Sequence, residues 1–301
     1  MKILYLTKAD GQDYLADMAM HGLREHFGAD VVDAPKMRHM YKGADTAGMY
    51  GHGFTLFGLL DDIPIDRSDL EAKVRRKYFD FVVFGSVQRS NTYLDQVREI
   101  IRDCYPEDKI VFLDGEDNPL LLKEFLNKGY WYFKRELHNP RDNALPIQFA
   151  IPEEKLQPGK IKDKLLAPLN PWDARTYIYN DEKHYYHDYQ TSAFGRTSRK
   201  AGWDCLRHYE IMACYCMPYF ENLEYCPPLI MHKLPKEELM MAKHLLDYKG
   251  GDWFKSGQVR WIWEDLMEDV YAKLQRDMTT KALATYILDH VAGGRKIMVV
   301  A

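Results

Sequence analysis

Short apolar runs that alternate with segments of helical spacing constrain this chain more than any other feature. Residues 2–6 (KILYL), 31–32 (VV), 79–84 (FDFVVF), 110–113 (IVFL) and 130–133 (YWYF) are short and almost continuously apolar, the pattern of strands buried on both faces. Between the first two, Leu15, Met18, Ala19, Gly22, Leu23 and Phe27 recur at helical spacing, and Gly28 supplies a natural stop. Residues 94–101 and 119–127 predict two further helices, the second ended by Gly129. A helix between two strands carries the chain back across the sheet face, so the strands it joins run parallel. The expectation is an α/β fold with a parallel sheet wrapped by helices.

A length of 301 residues is more than one core of ordinary size holds. Residues 152–171 are rich in proline and lysine and separate two halves of different texture. The boundary is placed there, giving an N-terminal α/β domain over 1–152 and a C-terminal α/β domain over 153–301. In the second half, residues 176–179 open a strand or a helix, and an aromatic stretch leads to a helix over about 203–214. A strand is expected at 217–220, helices over 236–248, 258–276 and 279–290, and a last strand at 296–300. The Gly- and Tyr-rich stretch 37–64 is long for a connection and is expected to be an insertion at a cleft.

Composition excludes several classes. The net charge is −4, from 41 basic and 45 acidic residues, which does not favour a nucleic-acid backbone as partner. There are five cysteines and no CxxC pair, which argues for reduced thiols rather than a disulfide framework or zinc knuckle. No apolar run approaches the ~20 residues of a membrane helix, and the first apolar run is too short for a signal-peptide core; a cytoplasmic protein without a membrane span is expected. No GxGxxG follows the first strand, and neither GxxxxGK[ST] nor GxSxG occurs. The 21 tyrosines and 6 tryptophans offer flat apolar faces with polar tips, suited to sugar rings and nucleobases as well as to cores.

The most specific segment is 202–218, GWDCLRHYEIMACYCMP. Arg207 and Glu210 lie one helical turn apart; by spacing alone they form a surface pair worth roughly 0.2–0.5 kcal/mol. A carboxylate at 210 could accept from a ribose diol, and an arginine at 207 could bind a diphosphate bidentately. Glu210, Ala213 and Pro218 in this order resemble the glutamate–small–proline segment of GT-B glycosyltransferases, and the stretch 191–228 is similar to group-1 and exostosin-like members, where an Arg-x-x-Glu precedes a cysteine and a proline. The resemblance implies two Rossmann-like domains with a cleft between them, Glu210 on the nucleotide ribose and Arg207 on the phosphate side. Many retaining enzymes of this type carry a second glutamate eight positions earlier; here that position is Gly202, which shifts the expectation towards inversion.

Arg196, Arg199 and Lys200, in GRTSRK, form a basic cluster ahead of the same helix. Such cations and a helix N-terminus stabilise a departing diphosphate without a metal; a solvated basic loop is the alternative. Trp203 and Tyr189 are candidates for stacking on the base or for core packing.

Inverting transfer needs a base for the acceptor hydroxyl. Asp114 and Glu116 follow the strand 110–113, at the sheet edge where open α/β sheets bind ligands, and both are candidates. Asp117, before Asn118-Pro119, reads as a helix N-cap. His52, in the glycine-rich stretch, is the rival base because imidazole titrates near neutral pH. Arg89, in 85–90, could touch the acceptor or a phosphate. Lys134-Arg135-Glu136 reads equally as a solvated charge run. Asp61-Asp62 and Glu116-Asp117 lack Asp-x-Asp spacing, so no metal is expected.

The expected function is transfer of a sugar from a UDP- or GDP-linked donor to an acceptor hydroxyl, on a glycan or another molecule, with no cofactor beyond the nucleotide-sugar. The alternatives are a non-catalytic nucleotide- or glycan-binding protein of the same fold and a transferase acting on a modified nucleobase in DNA. The aromatic stretch Tyr177 to Tyr189 reads as an interface, an acceptor platform or ordinary packing.

Overall fold

The computed structural model describes residues 1–293 apart from 9–10, 47, 89–91, 127, 141, 250, 252–253, 255–256 and 258–259, and describes the side chains of neither 92–97 nor 249. Arg89 and the strand expected at 296–300 lie outside the described residues.

Six strands form one parallel sheet: β1 (Ile3–Leu6), β2 (Val31–Ala34), β3 (Phe81–Phe84), β4 (Ile110–Asp114), β5 (Trp131–Lys134) and β6 (Leu145–Pro146), in the order β2-β1-β3-β4-β5-β6. β1 pairs on both sides, Ile3 with Val31 and with Phe81. Alternate residues of these strands enter two separate cores, as a pleat buried on both faces requires. Ile3, Tyr5, Val83, Val111, Leu113 and Phe133 join one; Leu4, Leu6, Val82, Phe84, Phe112 and Tyr132 join the other.

Helix α1 (Tyr14–Phe27) packs on the first face through Leu15, Met18, Ala19 and Leu23. It is capped by Asp13, whose carboxylate accepts from the Ala16 amide, and stops at Gly28 with φ 52°. α2 (Leu70–Arg75), α3 (Thr92–Cys104) and α4 (Lys123–Leu126) lie between the later strands, and Val74, Ile101 and Phe125 fill the second core.

A second, three-stranded parallel sheet follows, in the order β7 (Lys164–Leu166), β8 (Ser192–Ser198), β9 (Met217–Glu221). Its crossovers contain α5 (Glu182–Gln190) and α6 (Leu206–Ala213). α7 (Lys236–Lys249), α8 (Arg260–Asp277) and α9 (Thr280–Ala292) complete the described elements. The core that covers the first face of the large sheet continues into the small one through Phe194, Tyr209, Met217 and Trp263. The chain returns to the first half where the Ile151 amide donates to the Met278 carbonyl and the Thr280 amide donates to the Ile151 carbonyl, and α9 then packs along α1. That crossing is close: a Cβ on Gly22 would stand 1.9 Å from the Thr280 carbonyl oxygen.

Several expectations need correction. β8 and α5 occupy residues read only as an aromatic stretch, because Tyr185, Tyr186 and Tyr189 pack inward while the charged residues between them hide the apolar face from a hydropathy reading. Arg196 lies within β8 rather than in a loop. The helix expected at 119–127 is reduced to α4, which starts six residues after Asp117, and Asp117 pairs with Arg135. Lys134, Arg135 and Glu136 are not a solvated run but are buried. Among the described residues, no helix is long and apolar enough to cross a membrane.

Candidate functional site

A cleft of about 790 Å³ lies where the carboxyl ends of both sheets meet. The large sheet contributes the segment after β1, including Asp13 and Tyr14, with Gly115 and Asp117 after β4 and Arg135 after β5. The small sheet contributes Leu169 after β7, Lys200, Ala201, Gly202, Asp204 and Cys205 after β8, and Arg207 and Glu210 on α6. In the large sheet, connections diverge on either side of β1, and open parallel sheets bind ligands beside such a point because the loops separate there. The stretch 37–64 does reach this cleft, through Tyr50, Gly51, His52 and Phe54.

Two polar networks shape the cleft. The first joins the sheets. Arg135, 1 % exposed, donates to the Gly115 carbonyl at 3.1 Å and the Asp204 carbonyl at 2.7 Å, and pairs with Asp117 and Glu136. Glu136 Oε1 accepts from the amides of Trp203 at 2.9 Å and Asp204 at 3.1 Å. These bonds leave no room for a side chain at 202: a Cβ there would stand 2.7 Å from Glu136 Oε1 and 2.8 Å from Asp117 Oδ1. The carboxylates of Glu136 and Asp117 therefore crowd the position that carries glutamate in the resembled enzymes. Asp204 accepts from the Phe149 amide at 2.6 Å and Tyr209 at 3.0 Å, and burial pushes its carboxyl up to about 6 despite nearby Arg135.

The second network surrounds Glu210. Its Oε1 accepts from Thr55 Oγ1 and its Oε2 from Tyr185, both at 2.5 Å. Burial raises its pKa above the ordinary carboxylate value, and these two donors oppose the rise. Thr55 reaches α6 because His52 and Thr55 adopt left-handed backbone conformations, at φ 57° and 71°. The Thr55 amide also donates to Glu182, which is paired with Lys155 at 2.7 Å.

The structure brings Glu210, Arg207, Lys200 and His52 to one cleft. It leaves Arg196, Arg199 and Trp203 off the lining; Trp203 is buried, with the Arg199 guanidinium 5.2 Å from its ring centre. Asp114 is also off the lining and 1 % exposed, held by Lys134 at 2.9 Å, Gln88 at 2.6 Å and Tyr132 at 2.5 Å. Its carboxylate ties β4 to β5 rather than lining the cleft. Glu116 accompanies it outside the lining. Tyr189 is buried in the small sheet's outer core rather than presented to a base.

Arg207 and Lys200 both donate to the Tyr177 hydroxyl, at 3.0 and 2.9 Å, and Arg207 keeps Nε and Nη1 buried without partners. Asp204 and Thr55 escaped the sequence reading, which met Arg135 only within a charge run and Tyr177 only within an aromatic stretch. Arg135 could have been found from its place just past a strand, where the sheet-edge rule applies; Thr55 carries no local signal. Among the described residues, no three His, Cys, Asp or Glu side chains group so as to hold a metal ion. No protein-family profile matches the chain, and no curated protein matches it.

Proposed function

We propose that this chain is a glycosyltransferase of GT-B type, moving a sugar from a UDP- or GDP-linked donor to an acceptor hydroxyl. One observation carries the reading: the carboxyl ends of two parallel sheets open onto one cleft, with Glu210, Arg207 and Lys200 on the small-sheet side and His52 on the other. On this reading the ribose diol replaces the hydroxyls of Thr55 and Tyr185 on Glu210, an exchange of like donors. Arg207 and Lys200 face the diphosphate, where negative charge grows as the glycosidic bond breaks. His52 takes the acceptor proton while the acceptor oxygen bonds the anomeric carbon and the nucleoside diphosphate departs. Tyr14, Tyr50 and Tyr179 supply flat faces for the sugar and base.

Titration calorimetry with UDP and GDP tests the donor side. Arg207→Ala should weaken binding by about 1–3 kcal/mol through the loss of a charge-assisted bond, and Glu210→Ala should act in the same direction. Nucleotide binding that neither substitution changes overturns the assignment. A second reading, a nucleotide-binding protein without transfer, gains from Asp114, the candidate base at the end of β4, being committed to Lys134 and Tyr132. Binding of nucleotide-sugar with neither transfer nor hydrolysis would select it.

A further inference from the structure

We propose that the Tyr177 hydroxyl holds the place of a ligand phosphate oxygen between Lys200 and Arg207, so that a phosphorylated ligand must displace it to enter the cleft. Tyr177 lies in the connection from β7 to α5, just after a short turn, 174–176, that is pinned by Asp173 and Thr176. Its oxygen accepts from Lys200 Nζ at 2.9 Å and from Arg207 Nη2 at 3.0 Å, and lies 3.5 Å from the Pro171 carbonyl, towards which its own proton points. Both lone pairs of a neutral oxygen thus face two cations.

Three features mark this contact as provisional. Among the described residues, neither Lys200 nor Arg207 forms an ion pair with a carboxylate, so two positive charges converge on an uncharged acceptor. Arg207 also leaves Nε and Nη1 buried and unsatisfied, and a guanidinium normally uses its fork of donors on a bidentate acceptor. Finally, Tyr177 is 44 % exposed, so its ring can leave without opening the core. A phosphate oxygen offers the same acceptor geometry with a negative charge, which adds ion-pair attraction to bonds whose donors, Lys200 and Arg207, are already charged. The exchange therefore favours an anion, and it makes Tyr177 a residue that discriminates between phosphorylated and neutral sugars. The identity of the ligand rests on the proposed nucleotide-sugar function; the displacement itself does not.

The test measures binding of inorganic pyrophosphate to the full chain by titration calorimetry. Removing the competing hydroxyl in Tyr177→Phe should tighten binding roughly tenfold, since two hydrogen bonds no longer need to be broken. Tyr177→Ala, which also removes the ring, should change affinity in the same direction, while Lys200→Gln and Arg207→Gln should each weaken it at least tenfold. If Tyr177→Phe and Tyr177→Ala both bind pyrophosphate no more tightly than the unsubstituted protein, the displacement is wrong. Weakened binding in Arg207→Gln would in that case leave the nucleotide-sugar reading standing. If neither the unsubstituted protein nor Tyr177→Phe binds pyrophosphate, the proposal is overturned, and consumption of nucleotide-sugar then judges the function separately.

Discussion

Thr55 Oγ1 donates to Glu210 Oε1 across 155 residues of chain, and it does so from a backbone at φ 71°, a region that β-branched residues rarely occupy. The strain persists because the surroundings determine the position three times over: the Thr55 amide donates to Glu182, its hydroxyl lies 3.0 Å from Tyr186, and Glu210 takes the proton. The long glycine-rich connection is thereby pinned to α5 and α6, which gives the cleft its second wall.

Loss of that hydroxyl should be felt in stability. Thr55→Val leaves a buried carboxyl short of a donor, and we expect a loss of about 1–3 kcal/mol. Thr55→Ser keeps the oxygen and should lose much less. Urea unfolding of the two variants checks the difference; equal midpoints would remove Glu210 from the account.

Asp204 makes stability depend on pH in an identifiable direction. Its folded pKa, raised to about 6, lies above an unfolded value of about 3.9. The folded state therefore holds a proton that the unfolded state has released between these values. The contribution is fully present below about pH 4 and is lost as pH rises to about 6, a change on the order of 3 kcal/mol. Asp17, also pushed up to about 6 by burial, acts in the same sense. Asp204→Asn should remove its share of the slope, read as the difference in unfolding free energy between variant and parent from pH 4 to 6. A difference that stays constant over that range contradicts the assignment.

Gly202→Ala introduces a Cβ where Glu136 and Asp117 already sit, at 2.7 and 2.8 Å. The Glu136 carboxylate must move and release the amides of Trp203 and Asp204. We expect destabilisation of about 1–3 kcal/mol, and partial recovery when Glu136→Ala is added, because the nearer of the two contacts is then removed while that with Asp117 stays. Thermal melts of the single and double variants decide this.

Gly22→Ala should be more severe. The new methyl would stand 1.9 Å from a backbone carbonyl on α9, and a backbone atom cannot swing aside as a side chain can. The helices must separate, which costs about 3 kcal/mol or more. Gly48→Ala, where a Cβ meets nothing within 4 Å, serves as the control, and its melting temperature should stay near that of the parent.

The large sheet was legible because buried strands announce themselves: the runs at 2–6, 79–84, 110–113 and 130–133 are apolar on successive residues, and each coincides with a strand of the structure. By spacing alone Arg207 and Glu210 read as a surface pair, whereas the structure buries Glu210 and bonds it to Thr55 and Tyr185. β8 was not visible, because its seven residues include Arg196, Thr197 and two serines, and it is a strand only by virtue of neighbours on both sides. Lys134, Arg135 and Glu136 show the same limit, since three consecutive charges read as solvated until partners from Asp114, Asp117 and the 203–204 amides come into view.

Local pattern thus specified the α/β class, the parallel connections and the helix bearing Glu210, because strand runs, helical periodicity and Gly stops act within a few residues of one another. The cleft itself depended on contacts that are far apart in sequence. Thr55 meets Glu210, Arg135 meets Asp204, and Tyr177 meets Lys200 and Arg207 only after both sheets have formed and docked. A charge or hydroxyl in the chain carries no mark of its eventual partner. Whether it is solvated, paired or left waiting for a ligand is set by which surfaces the folded core brings together.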